Sequence, residues 1–240
     1  MGFLLVLLFV MPRSKRIDKG DVVYHVLNRA NGRLKIFNKA GDFEAFEEIV
    51  ASGQERFSMR VCGYCIMSNH WHLVLWPRED GDLSSFMKWI TVTHSHRWHS
   101  WHDSVGCGHL YQGRYKSFPV QSDAYYLALM RYVECNPLRA GVVKRTRDWQ
   151  WGSFAVRSGT DKPISLSEGP LALPSRWKMM VENPGAVDDG VVEQIGVSVE
   201  RGRPLGDANW TAHTAGALGL ESTLRPRGRP KKEYLVKKGV

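Results

Sequence analysis

The sequence predicts an α+β fold of the ferredoxin-like kind: a split β-α-β-β-α-β order, with one antiparallel sheet and two helices on one face. Three observations predict it. Residues 59–67 and 70–76 are apolar, β-branched and aromatic runs joined by Ser68-Asn69, which is a hairpin pattern. Residues 41–52 and 82–101 carry apolar side chains at helical spacing. Two further strand-like runs, 22–28 and 115–120, precede the first helix and follow the second.

Each element has its own signal. In the first strand, Val22-Val-Tyr-His-Val-Leu-Asn28, Tyr24 and His25 alternate, and the polar Arg29-Ala-Asn-Gly-Arg33 connection follows. Phe43, Phe46, Ile49 and Val50 mark the buried stripe of the first helix. Gly81-Asp82 introduces the second, through Leu83, Phe86, Met87 and Ile90, and the Gly-rich 105–108 stretch ends the region. Ser122-Asp123 offers an N-cap to a further helix over 123–136, which Pro137 ends or kinks. The aromatic segment 149–154 is expected to pack back on the core. Residues 159–194 are rich in Pro, Gly, Asp and Ser and read as a loop or linker, and 211–220 as a short helix. No repeat of 20–50 residues is present, although Arg-Gly-Arg-Pro occurs at 201–204 and at 227–230.

The chain has 240 residues, 43% of them apolar, so a packed core is within reach. Four cysteines in this length do not make a disulfide framework, and reduced thiols are expected. Cys62 and Cys65 have the spacing of a zinc knuckle, but no second pair follows, and in a regular strand they face opposite ways. The apolar residues 1–10 are too short to span a bilayer and lack the flanks of a signal peptide. They read as an upstream extension ahead of a more natural start at Met11. No membrane partner is expected, and the location is expected to be cytoplasmic and nucleoid-associated. Of the net charge of +9, residues 222–240 carry +6, so the positive charge is gathered in a tail. Such a tail is either a solubilising end or a polyanion contact.

The hairpin carries the first candidate site. Along residues 70–76, His70, His72, Val74 and Trp76 share one face, and Trp71, Leu73 and Leu75 the other. Two imidazoles on one face can hold one metal ion, or they can be two partly exposed histidines. The helix over 123–136 carries the second: Tyr132 and Asn136, at i and i+4, stand one turn apart on one face. A phenol with a pKa of ~10 needs a base or a nearby cation to act as a nucleophile. Mixed nitrogen and oxygen ligands suit Mg²⁺ or Mn²⁺. Tyr125, Leu129 and Tyr132 also make an apolar stripe, and on periodicity alone Tyr132 reads as core.

At these residues the chain resembles a known family. Asn69-His-Trp-His-Leu73 is similar to the His–hydrophobe–His motif of single-tyrosine transposases, and Arg131-Tyr-Val-Glu-Cys-Asn-Pro-Leu-Arg-Ala-Gly141 to their tyrosine helix. Tyr24-His-Val-Leu-Asn-Arg29 and Gly108-His-Leu-Tyr-Gln-Gly-Arg-Tyr-Lys116 resemble segments of the REP-associated tyrosine transposases. The resemblance covers residues 11–154. It implies that Tyr132 attacks single-stranded DNA at palindromic repeat hairpins and forms a 5′-phosphotyrosine. It also implies that His70, His72 and Asn136 hold Mg²⁺ or Mn²⁺, with Asn136 where some relatives carry Gln. Arg29, Arg114 and Lys116 are the expected phosphate contacts near this site. Residues 11–158 form the expected catalytic domain, 159–194 a linker, and 195–240 a basic DNA-binding extension.

Rival readings remain inside the sequence. Tyr125 and Tyr126 lack an amide four residues on. Tyr111 and Tyr115 read as part of the fourth strand and its approach. His94, His96, His99, His102 and His109 cluster with Trp98 and Trp101 and read as a solvated or DNA-facing helix end. His25 reads as a satisfied structural histidine or as a second shell to the His pair. Arg225, Arg227, Arg229, Lys231 and Lys232 resemble an AT-hook for A·T-rich duplex DNA or serve as plain phosphate contacts. The alternatives in function are a non-catalytic hairpin-binding protein and a metal-dependent nuclease using water. The protein is expected as a monomer or a homodimer.

Overall fold

Four antiparallel strands form one sheet in the order β2-β3-β1-β4 in the computed structural model, which describes residues 17–183 and 189–225. β1 is Val23–Arg29, β2 Arg60–Met67, β3 His70–Trp76 and β4 Lys116–Val120. α1 (Ala40–Phe57) lies between β1 and β2, and α2 (Asp82–Trp101) between β3 and β4. This is the expected β-α-β-β-α-β order with ferredoxin-like pairing.

Local chemistry sets the element ends. The Asp42 carboxylate accepts from the Asn38 and Lys39 amides at the start of α1. Asp18 accepts from Leu83 and Ser84 at the start of α2, which satisfies two free amides of its first turn. The Ser68 carbonyl accepts from Ile36 and Phe37, and that of Asn69 from Ala30, so the β2–β3 turn is tied to the chain leaving β1.

The pleat divides the core. Trp71, Leu73 and Leu75 pack with Phe43, Phe46, Phe86 and Ile90 beneath α1 and α2. Val74, Phe118 and Met67 pack on the other face with Tyr126, Leu129 and Val133 of α3 (Ala124–Glu134). Asp123 caps α3 through the Tyr125 amide, as its place in the sequence predicts. α4 (Asn136–Arg139) follows after a one-residue break at Cys135, just before Pro137.

A bulge alters β2. Val61 pairs with Leu75 and Gly63 with Val74, so one extra residue sits at Cys62. Cys62 and Cys65 therefore line the same core face, where a regular strand sets them on opposite faces. Both are buried free thiols, and burial pushes that of Cys62 up to about 11.

The chain beyond α4 closes both sheet edges. Trp149 and Trp151 pack against the core as expected, with Trp151 stacked on Phe43 at 4.6 Å. Gly152 and Leu166 bridge to β2, and Leu205 bridges to β4. α5 (Ser153–Arg157), α6 (Trp177–Glu182), α7 (Asp189–Arg201) and α8 (Ala208–Leu218) complete the described residues' longer helices. The reading of 159–194 as a loop is thus corrected: Trp177 and Val181 are buried under α3, and α7 begins at Asp189. The six residues of α6 are too short a run to show periodicity. The first Arg-Gly-Arg-Pro copy serves the end of a helix. Gly202, at φ +71°, ends α7 with its amide on the Ser198 carbonyl, and Pro204 is buried ahead of the Leu205 bridge. Among the described residues no helix is long and apolar enough to cross a membrane.

Candidate active site

The strand register builds the site on the α3 face of the sheet. His72 pairs with Leu27 and His25 with Val74, so His25 and His72 are diagonal neighbours on one face. His25 Nε2 lies 2.9 Å from His72 Nδ1, with the rings stacked at 5.0 Å. His70 stands edge-on to His72, their centroids 5.0 Å apart. α3 and α4 bring Tyr132 and Asn136 over this face. Asn136 Nδ2 is 3.2 Å from His72 Nε2, and the Tyr132 ring meets His72 edge-on at 6.2 Å. All these groups come from one chain.

The partners fix the tautomers. An amide nitrogen only donates, so His72 Nε2 accepts from Asn136 and keeps its lone pair. The His72 proton is then on Nδ1 and is donated to His25 Nε2. His70 Nδ1 lies 2.6 Å from Asn69 Oδ1, which only accepts, so His70 also keeps a lone pair on Nε2. Burial holds His70 at about 4 and His72 well below the ordinary imidazole value, with Arg29 adding to both effects. The imidazoles are therefore neutral at pH 7.

This donor set fits a divalent metal ion. Two neutral imidazoles present Nε2, and turning the Asn136 amide over replaces its donor with Oδ1. His25 supplies the outer support that orients such a ligand. It carries a cost: His25 Nδ1 is buried with no hydrogen-bond partner among the described residues. Among those residues no three His, Cys, Asp or Glu side chains gather as a ligand group; the Asn136 amide is the further polar group in contact with His72.

Cations rim the site. Arg139 Cζ sits 4.8 Å from the centre of the Tyr132 ring. Burial raises the Tyr132 phenol above its ordinary value, and Arg139 and Arg29 pull it down. Arg29 pairs with His70 across β1 and β3 and is exposed. Lys116, two residues before Phe118, shares the face with His25 and His72. Arg114 and Lys116 also line a groove along β4 with Arg201 and Thr223. Arg225 is exposed, and its carbonyl accepts from Arg201. Arg227, Arg229, Lys231 and Lys232 lie outside the described residues, as do residues 1–10.

Of the two readings of His25, the structure favours support of the His pair: its Nε2 meets His72 Nδ1 across the β1–β3 register. The His94–His109 cluster is not a uniformly solvated helix end. His94 is buried with Nδ1 2.6 Å from the Tyr111 hydroxyl, and His102 pairs with Asp42 at 3.1 Å. Tyr111 in turn accepts from Trp71 Nε1. Arg139 was legible as i+7 from Tyr132, but Pro137 interrupts the helical reading between them.

Comparison with known proteins finds a family model and similar folds. Residues 19–136 match a family model described as "Transposase IS200 like". A solved REP-associated tyrosine transposase bound to a REP hairpin is similar in fold, with a TM-score of 0.52 and 17% identity over 68% of this chain and 100% of that one. A crystal structure of a transposase from Deinococcus radiodurans R1 aligns over 51% of this chain and 96% of that one, at 16% identity and a TM-score of 0.38. No curated protein matches the chain.

Proposed function

We propose that this chain is an IS200-like transposase, the family whose model matches residues 19–136, and that it cuts and rejoins single-stranded DNA through Tyr132. The reading rests on one observation above the rest: a single chain brings Tyr132 edge-on to His72, whose Nε2 touches Asn136.

In this reading the Tyr132 Oη attacks a backbone phosphorus in line. The Oη–P bond forms, the P–O3′ bond breaks, the phenol loses its proton and the 3′ oxygen gains one. The products are a 5′-phosphotyrosine and a free 3′-OH, and a second 3′-OH reverses the step to join strands. His70, His72 and Asn136 hold Mg²⁺ or Mn²⁺, which when bound offsets charge on the phosphate oxygens. His25 keeps the His72 proton on Nδ1. Arg139 and Arg29 favour the phenolate, and Arg29, Arg114 and Lys116 track the DNA backbone.

The substrate class follows the similar structure, whose protein is bound to a REP hairpin. Palindromic hairpins with a single-stranded flank are accordingly the proposed targets here. The tail residues Arg225, Arg227, Arg229, Lys231 and Lys232 add affinity for A·T-rich duplex.

Labelled hairpins from the host genome, incubated with Mn²⁺ or Mg²⁺ and run on a denaturing gel, test the reading. Metal-dependent protein–DNA adducts that vanish in Tyr132→Phe and with chelator are expected. Tight hairpin binding without cleavage would instead indicate a binding protein. Cleavage that survives Tyr132→Phe would indicate a nuclease using water.

A further inference from the structure

We infer that a strap outside the family-matched region, residues 153–183, positions the tyrosine helix over the sheet, with Glu134, Trp177 and Arg131 as its positioning residues. The inference rests on the role of Tyr132 proposed above.

Helical phase separates three jobs on α3. At ~100° per residue, Tyr126, Leu129, Met130 and Val133 face the sheet, and Tyr132 with Asn136 faces the His pair. Arg131, Glu134 and Cys135 form a third stripe at i, i+3 and i+4. The strap grips that third stripe. Glu134 is buried and accepts from three groups: Trp177 Nε1 at 2.7 Å, Ser153 Oγ at 2.7 Å and Arg157 Nε at 2.9 Å. Arg157 also donates to the Cys62 carbonyl of β2 at 2.6 Å, and Ser153 Oγ accepts from the Tyr64 amide at 3.1 Å. One carboxylate on the tyrosine helix is thereby joined to the sheet that carries the His pair.

The second grip is at the helix end. Arg131 Nε donates to the Met180 carbonyl at 2.7 Å, and its Nη2 to the Asn183 carbonyl. The Cys135 thiol donates to the Val181 carbonyl at 3.0 Å. Each strapped residue is next to Tyr132 or Asn136, or lies between them. The carbonyls at the end of α6 and of the Asn183 that follows it thus fix both ends of the catalytic turn. Every partner, from Ser153 to Asn183, lies beyond residue 136, where the family match ends. A displacement of about 1 Å at a reacting group can cost a hundredfold in rate, so this bracing bears on rate rather than on DNA affinity.

The test uses the full chain and two variants. Trp177→Phe removes the donor to Glu134 while keeping an aromatic ring, and Arg131→Met removes the grip on α6. Three quantities are measured: adduct rate on a hairpin substrate, hairpin affinity, and hydrogen exchange of the amides in 124–136 and in 60–76. Expected is a rate at least tenfold lower, with affinity within twofold of the parent. Faster exchange is expected in 124–136 but not in 60–76. An unchanged rate would overturn the inference, and so would equal loosening of the sheet amides, which marks general destabilisation. If the parent itself forms no adduct, the proposed function fails separately. The exchange pattern then decides whether the strap holds the helix: selective loosening of 124–136 supports it, and no selectivity overturns it.

Discussion

Strand β3 has histidines against both of its faces, and by burial the two sets look alike. On one face His72 is bonded to His25. On the other, Trp71 is bonded to Tyr111, which is bonded to His94. Burial holds both His25 and His94 at about 3. They differ in where the remaining lone pairs point. The His94 set is closed among Phe37, Phe46 and Tyr111, with its polar atoms turned on one another. The His72 set has its Nε2 against the Asn136 amide and its ring edge-on to Tyr132. A depressed pKa therefore does not by itself mark a site; the polar partners around each ring separate the two sets.

Substituting one residue on each face gives the largest separation. His70→Ala should lower adduct formation by about 10³ or more, the loss expected when several kcal/mol of charge stabilisation go, and leave the melting temperature near that of the parent. His94→Ala should do the reverse, costing roughly 2–4 kcal/mol of stability by cavity formation and a lost hydrogen bond, with the rate per folded molecule within about twofold. Denaturant unfolding and adduct kinetics on both variants check this. A His94→Ala protein that is stable but inactive would break the comparison.

The supports of the two faces come next. His25→Ala should weaken Mn²⁺ binding by about 10–100-fold, read by calorimetry, because it removes the group that orients His72. Tyr111→Phe, its counterpart beneath α2, should cost about 1–2 kcal/mol of stability and leave metal affinity alone.

Acid should act on both faces in the same direction. His25 and His94 are held neutral in the folded protein at about 3, against an ordinary 6.5. The unfolded chain binds their protons first, so stability is full above about 6.5 and is lost as the pH falls towards 3. Urea midpoints at pH 7 and pH 5 measure the drop, and His94→Gln should narrow it.

The smallest effect is expected at the rim. Arg29→Ala should weaken hairpin binding a few-fold and reduce the salt slope by roughly 0.7, the value for one phosphate contact on a single strand. A salt titration of hairpin affinity measures this.

Much of this was legible in the sequence, for physical reasons that differ by residue. The alternation of His70-Trp-His-Leu73 and the 3.6 period through Phe43, Phe46 and Ile49 are local, so the strands, helices and faces followed. Tyr132 and Asn136 share a turn, so their pairing followed too. The sequence left His25 between a structural and a supporting role, because the choice depends on the register between strands 47 residues apart in sequence. The bulge at Cys62 was hidden because an extra residue leaves composition unchanged. Glu134 read as an ordinary helix residue, since its three partners lie 19 to 43 residues downstream.

The most direct measurement is to identify which of the eight tyrosines becomes linked to DNA. The protein is incubated with a labelled hairpin and Mn²⁺, digested, and the DNA-bearing peptide sequenced by mass spectrometry. The predicted result is one peptide, containing Tyr132, that is absent from His70→Ala and from chelated samples. Linkage at Tyr115 or Tyr125, or strand cleavage with no linked tyrosine, would contradict the assignment of this face as the reacting one.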